Sequence, residues 1–250
     1  MTVQAERRAK LAWAMPRCRL SWAQPMTVQA ERRAKLAWAM PRCRLSWAQP
    51  MTIIYFHGFG SSGSSGTVES LRKMLPNVTV VAPDIPIDPL EALPYLRQYC
   101  QDLQPDLIIG TSMGGMYAQQ MFGFRKICVN PAFNMSTMSK VLKTGTHKFF
   151  SRRKDNATEF RITRDIIQHY NAMERQQFKG ITAFDRENTY GLFGIHDDTV
   201  NTYELFRKHY SHAIRFEGEH RLNDKILRGV VLPLIRQILD GDALLSEIKH

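Results

Sequence analysis

The residue types that make an activated nucleophile stand far apart in this chain, in the order Ser, Asp, His. Ser112 lies in LIIGTSMGGMYAQQM, where Gly110, Ser112 and Gly114 spell G-x-S-x-G between a strand-like run and a helix-like one. A strand-to-helix turn of this kind strains the serine backbone, lifts its hydroxyl above the sheet edge and tolerates only small neighbours. The helix that follows aims the positive end of its dipole at the same place. A serine hydroxyl near neutral pH needs an adjacent base. His220, in FEGEHRL, is the expected base. The loop IHDDTV, after the strand-like TYGLFG, offers Asp197 and Asp198 as the acid that fixes the imidazole tautomer. Asp198, next to Thr199 and Val200, is favoured, and Asp197 stays open. The expected chemistry is attack of Ser112 on a carbonyl carbon, with His220 taking the proton and returning it to the leaving group. Plainer readings exist for each residue: a Gly-Ser turn, an Asp pair capping a helix, a surface histidine. His196, on the acid loop, is a rival base expected to support rather than act.

The loop after the first strand completes such a site. His57-Gly58-Phe59-Gly60 follows the β-branched run TIIYF. In this arrangement one backbone N–H from that loop and one from the residue after the nucleophile bind the developing oxyanion. Phe59 and Met113 are therefore the expected donors. Gly58 and Gly60 line the site, and His57 orients the loop. Gly58, Gly60 and Gly63 also spell the G-x-G-x-x-G of a dinucleotide loop, and Asp84 stands 21 residues further on, where a ribose-binding acid would sit. That reading is weaker. The serines from 61 to 65 dilute the helix start, Pro83 and Pro86 flank Asp84, and Ser112, the Asp pair and His220 are left unexplained. A phosphate-binding loop of the Walker type fails because no lysine follows the glycines.

The elements that must position these residues alternate from Met51 onward, which predicts βαβ units and a mostly parallel sheet. Strands are expected at 52–57, 78–83, 106–112, 126–131, 189–194 and 212–218. Helices are expected at about 66–75, 90–103, 114–123, 199–210 and 223–239, with fraying after about Asp240. The stretch 132–188 is too long for a simple crossover. It is basic in part, through His147, Lys148, Arg152, Arg153 and Lys154, and is expected to form a helical cap with a helix at 163–176.

Charge is distributed unevenly. Residues 1–25 and 26–50 are identical, and each copy carries five basic residues and one acidic residue. The two copies thus hold +8 of the net charge of +11, leaving +3 for the rest, and they contain all four Trp. Two identical units do not make a solenoid. The repeat is expected to be an upstream extension, with the natural start at Met51; a basic arm for nucleic acid or membrane is the alternative. Nucleic acid and membrane are not expected as partners of the body, which contains no apolar run long enough to span a bilayer. Cys100 and Cys128 show no pairing pattern and are expected to be reduced, buried and cytoplasmic.

HGF followed by SS, G-x-S-x-GG, VNPA after the fourth strand, the D-x-V acid loop and the late G-x-H resemble the small YqiA/YcfP-type esterases of bacteria. The resemblance covers about residues 51–240. It implies a minimal α/β-hydrolase: about six mostly parallel strands, helices on both faces, and a cap at about 132–188. It implies hydrolysis of carboxylic esters of short or medium acyl chains, or of thioesters, by Ser112, Asp198 and His220, with Asn130 and Pro131 on the site floor as substrate-binding residues. No cofactor or metal is implied. The partner would be a small acyl ester or thioester. Acyl transfer on the same residues, and a non-catalytic ligand-binding module on the same scaffold, remain as alternatives.

Overall fold

The computed structural model of the chain describes residues 51–138 and 142–247, with side chains described through 239. The tandem repeat and the expectations attached to it lie outside these residues. Eight strands run in chain order among the described residues: β1 Met51–Phe56, β2 Val78–Val81, β3 Leu107–Thr111, β4 Lys126–Val129, β5 Gly145–Lys148, β6 Glu159–Ile162, β7 Thr189–Gly194 and β8 His212–Phe216. Six form one sheet in the order β2-β1-β3-β4-β7-β8, with every pairing parallel. The chain leaves β1 toward β2 and then returns to the other side of β1 as β3. That reversal opens a crevice at the carboxyl ends of β1 and β3, where ligands bind in open α/β sheets.

The central strands are apolar in consecutive positions because both faces are covered. Ile53, Tyr55, Leu107, Ile109, Ile127 and Val129 pack on one face with α1 (Gly66–Met74) and the C-terminal helix. Ile54, Phe56, Ile108 and Cys128 face the opposite layer, which is built from α2 (Pro89–Leu103), α3 (Met113–Gln119) and α4 (Arg164–Glu174). Helix α2 starts sharply. Pro89 is preset for the first turn, and the Asp88 carboxylate caps it by accepting from the Leu90 N–H at 2.9 Å.

Three expectations are corrected. The cap is not purely helical, since β5 and β6 form an antiparallel hairpin ahead of α4 and α5 (Ala183–Glu187). Its polar, basic sequence hides the alternation of a short two-stranded ribbon. The helix expected at 199–210 shrinks to α6, Tyr203–Arg207. The Thr199 and Val200 N–H groups are instead taken by a side chain, and the Thr202 hydroxyl donates to Pro131 O at 2.6 Å. The last helix runs without a gap through a turn at Asp224–Ile226, a π turn at Leu227–Val231 and α7, Leu232–Glu247, past the expected fraying point. Pro233 cannot donate to the carbonyl four residues back, and the wider turn ahead of it accommodates that loss.

One ion pair underlies the end of the sheet far from the crevice. Lys126, at the start of β4, donates to Asp185 Oδ1 at 2.6 Å and to Met121 O at 3.0 Å, and both charged side chains are fully buried. The other Asp185 oxygen accepts from the Thr182 N–H and hydroxyl, closing a capping box on α5. Burial pulls the Lys126 pKa down, against the neighbouring carboxylate. Removing one partner of a buried pair costs about 3–5 kcal/mol, whereas replacing both with apolar groups is far less costly. Lys126→Met is expected to lose stability in that range by urea denaturation, and Lys126→Met with Asp185→Leu to recover most of it.

Candidate active site

Ser112 joins β3 to α3 with φ 54° and ψ −118°, outside the favoured regions for a side-chain-bearing residue. The turn is tight enough that a Cβ on Gly110 would lie 2.2 Å from Gly114 O, and a Cβ on Gly114 would lie 2.1 Å from Phe56 O. Only glycine fits at either place. The strained serine is held by its own backbone. Its N–H donates to Val129 O at 2.9 Å, and its carbonyl accepts from Met116 and Ala132, each at 3.1 Å.

The serine hydroxyl lies 3.0 Å from His220 Nε2. His220 Nδ1 lies 2.7 Å from Asp197 Oδ2. The carboxylate fixes the proton on Nδ1, which leaves Nε2 free to accept from Ser112. The carboxylate that meets His220 is therefore Asp197, whereas Asp198 is the one favoured from the sequence. Asp198 is exposed and accepts from the Thr199 hydroxyl at 3.2 Å. The reason lies in the backbone after β7. Ile195 and His196 continue to donate to β8 and its loop, at Phe216 O and Gly218 O, and the chain then turns with Asp197 N–H on Gly194 O. That turn directs Asp197 inward, and its second oxygen accepts from the Thr199 and Val200 N–H groups at 2.8 and 2.9 Å. Burial raises the Asp197 pKa, but these bonds and His220 outweigh it and hold the carboxyl below its usual value. His196 is exposed and pairs with Glu217 at 3.0 Å, away from Ser112.

The loop after β1 meets the same crevice. A Cβ on Gly58 would stand 3.6 Å from the Ser112 Cβ. Met113 opens α3, so its N–H has no helical carbonyl to bond. Phe59 packs edge-on against Phe160 of the cap, with ring centres 5.3 Å apart. His57 is spent on structure. Nδ1–H donates to Gly58 O at 2.8 Å, and Nε2 accepts from the Ile85 N–H at 3.0 Å. Gly60, at φ 70°, accepts from the Phe150 N–H at 2.7 Å. Asp84 explains the dinucleotide-like spacing. Its two oxygens accept from Gly63 N–H and Lys154 N–H, each at 2.7 Å, and so staple the glycine loop to the cap hairpin.

Asn130 and Pro131, expected on the site floor, are both buried. Asn130 is buried at φ 43°. Its amide donates to Glu219 O at 3.0 Å and His220 O at 3.1 Å, while its oxygen accepts from Gly194 N–H at 2.8 Å. It thus bonds the loops that carry both His220 and Asp197. Nothing in the sequence beyond the motif VNPA signals this role. Pro131 is buried and packs behind the elbow against Gly115.

A cavity of about 200 Å³ is lined by Asp197 together with Asn130, Phe193, Tyr203 and Arg215. Among the described residues no cluster of His, Cys, Asp or Glu could hold a metal ion. Cys100 and Cys128 are buried, and burial pushes each thiol up to about 12. No helix among the described residues is long and apolar enough to cross a membrane.

The profile of a family described as Uncharacterised protein family (UPF0227) matches residues 52–224. The chain belongs to that family. No curated protein matches it. Among solved structures it is similar to Est1E from Butyrivibrio proteoclasticus, with a TM-score of 0.56 at 11% identity over 76% of this chain and 89% of that one. The same protein with ferulic acid bound gives a TM-score of 0.52 at 10% identity, again over 76% of this chain and 89% of that one. The esterase domain of a Rhodothermus marinus protein gives 0.52 at 18% identity, covering 76% and 88%. The fold of this UPF0227 chain is that of α/β-hydrolases.

Buried His57 gives the site loop a pH dependence. Burial lowers its pKa from 6.5 to about 4. Between those values the unfolded chain binds the proton and the folded one does not, so stability falls as pH falls from 6.5 toward 4. The loss is on the order of 3 kcal/mol across the window. Urea midpoints measured at pH 7, 6 and 5 are expected to decline in the wild type, and His57→Asn to flatten that decline.

Proposed function

We propose that the protein is a serine hydrolase that cleaves carboxylic esters of short or medium acyl chains through an acyl-enzyme on Ser112. The observation that carries this reading is the unbroken hydrogen-bonded chain from the Ser112 hydroxyl through His220 to Asp197, at 3.0 and 2.7 Å. As Ser112 Oγ attacks the ester carbon, its proton passes to His220 Nε2. Asp197, already ionised, stabilises the imidazolium that forms. The carbonyl oxygen becomes an oxyanion, and the Phe59 and Met113 N–H groups donate to it. Collapse breaks the carbon–oxygen bond to the leaving group, which takes the proton from His220. Water then gives its proton to His220, attacks the acyl carbon and releases the acid and free Ser112.

Asn130 acts as a positioning residue, since it holds the backbone of His220 against the end of β7. A thioester with an anionic leaving group is the second reading. It is favoured by the cap segment 147–154, which is basic and bonded to the Gly60 and Ser62 loop. The same reaction with another hydroxyl in place of water would give acyl transfer.

The test follows hydrolysis of p-nitrophenyl acetate, butyrate and octanoate. Ser112→Ala is expected to lower kcat at least a thousandfold, and Asp197→Asn by about a thousand- to ten-thousandfold. Asp198→Asn is expected to stay within about threefold, as is usual for an exposed side chain away from the reacting groups. Absence of turnover together with failure of a fluorophosphonate to label Ser112 overturns the reading in favour of a binding module.

Asn130→Asp keeps the acceptor for Gly194 but loses both donors. It is expected to lower kcat at least about tenfold with KM nearly unchanged, as a misplaced catalytic group does. The low-field Nδ1 proton resonance of His220 is expected to broaden in the same variant. An unchanged kcat and resonance would leave Asn130 a purely structural residue.

A further inference from the structure

A cavity of about 410 Å³ lies between α2 and α4, and none of the residues that line it is Ser112, His220 or Asp197. Its volume falls in the range of small-molecule sites. Pro89, Leu93 and Arg97 recur every fourth residue along α2 and form one stripe on that helix. Ala172 and Met173 of α4 form the opposite wall. Leu90, at the lip, is 62% exposed, so apolar surface is left open to water here.

The charges of the cavity have one sign. Arg97 and Lys179 both line it, and no carboxylate among the described residues does. His169, also on the wall, is already engaged by Asp88 at 2.9 Å. The His169–Asp88 contact sets the middle of α4 beside the start of α2. Gln119 Nε2, at the end of α3, donates to Gln177 O at 3.0 Å and sets the chain after α4 beside the end of α3. Both walls therefore run away from the sheet crevice. Arg97 comes eight residues after Pro89, about 12 Å along the helix axis. Lys179 comes ten residues after His169.

We propose that this groove binds a free medium-chain carboxylate. The tail lies along Pro89, Leu93, Ala172 and Met173, and the carboxylate lies against Arg97 and Lys179. A stripe of about 12 Å matches an extended chain of about ten carbons joined by bonds of about 1.5 Å. A neutral lipid would leave the two cations unused, and an inorganic anion would leave the apolar walls wet. The groove is separate from the Ser112 site. Tyr170 of α4 lies between them, with its hydroxyl on Ile87 O at 3.0 Å and on the Met113 sulfur at 3.3 Å. The assignment does not depend on the hydrolase reading.

The experiment is calorimetric titration of sodium decanoate, below its micellar concentration, into the full chain. Sodium acetate and 1-decanol serve as probes that keep only the charge or only the tail. Decanoate is expected to bind at least tenfold more tightly than either. Arg97→Gln with Lys179→Gln, both on exposed side chains, is expected to weaken decanoate at least tenfold with little effect on 1-decanol. Ala172→Trp, which fills the groove from an exposed position, is expected to weaken decanoate and 1-decanol alike. Circular dichroism melts confirm that each variant is folded. Decanoate that binds no better than acetate, or equally to wild type and both variants, overturns the proposal. So does binding that survives Ala172→Trp but is lost in Ser112→Trp, because the ligand is then in the crevice.

Discussion

The structure turns on one strained residue. Ser112 occupies a positive-φ conformation that costs a side-chain-bearing residue on the order of 1–3 kcal/mol, and such strain persists only where the surroundings over-determine it. Here they do. The preceding strand is paired on both sides, the serine N–H and carbonyl bond three residues of two segments, and two glycines admit carbonyl oxygens that any side chain would displace. The order of strands places this elbow where the chain reverses direction across the sheet. The loop after β1 and the start of α3 therefore arrive at the same point.

Around that elbow the loops are joined by side-chain hydrogen bonds, both from the residues of the proposed chemistry and from others. Asn130 bonds the loop of His220 to the end of β7, and Asp197 divides its two oxygens between His220 and its own turn. His57, Asp84 and Ser62 tie the glycine loop to the strand end and to the cap hairpin. Arg153 extends the seam, stacking over Phe149 at 4.6 Å and donating to Ile85 O. Loops with this many hydrogen bonds to one another and to the strand ends form part of the scaffold. A site assembled from five loops needs that rigidity to hold reacting groups within a fraction of an ångström.

The cap has two faces with different surroundings. Its hairpin is bonded to the glycine loop and presents basic side chains together with Phe150, which is 76% exposed. Its helix α4 has buried Tyr170 on one side, against the elbow, and the groove lined by Arg97 and Lys179 on the other.

The sequence by itself determined the fold class, the order of the candidate residues along the chain and the identities of Ser112 and His220 as partners. These follow from local rules: apolar runs of strand length, glycines where a side chain would collide, and a fixed Ser, Asp, His order along an alternating β/α chain. Only the tertiary structure decided which of Asp197 and Asp198 meets His220. Adjacent residues have the same chemistry, and the choice depends on a turn whose register is set by hydrogen bonds to β8, a different part of the chain. The same holds for Asn130, whose three partners lie 64 to 90 residues away, and for Asp84, whose spacing from the glycines imitates a nucleotide site while its carboxylate is bonded to the cap. Residue type and spacing record which groups can react. Which of them meet is decided by long-range backbone bonds that leave no periodic trace in the sequence.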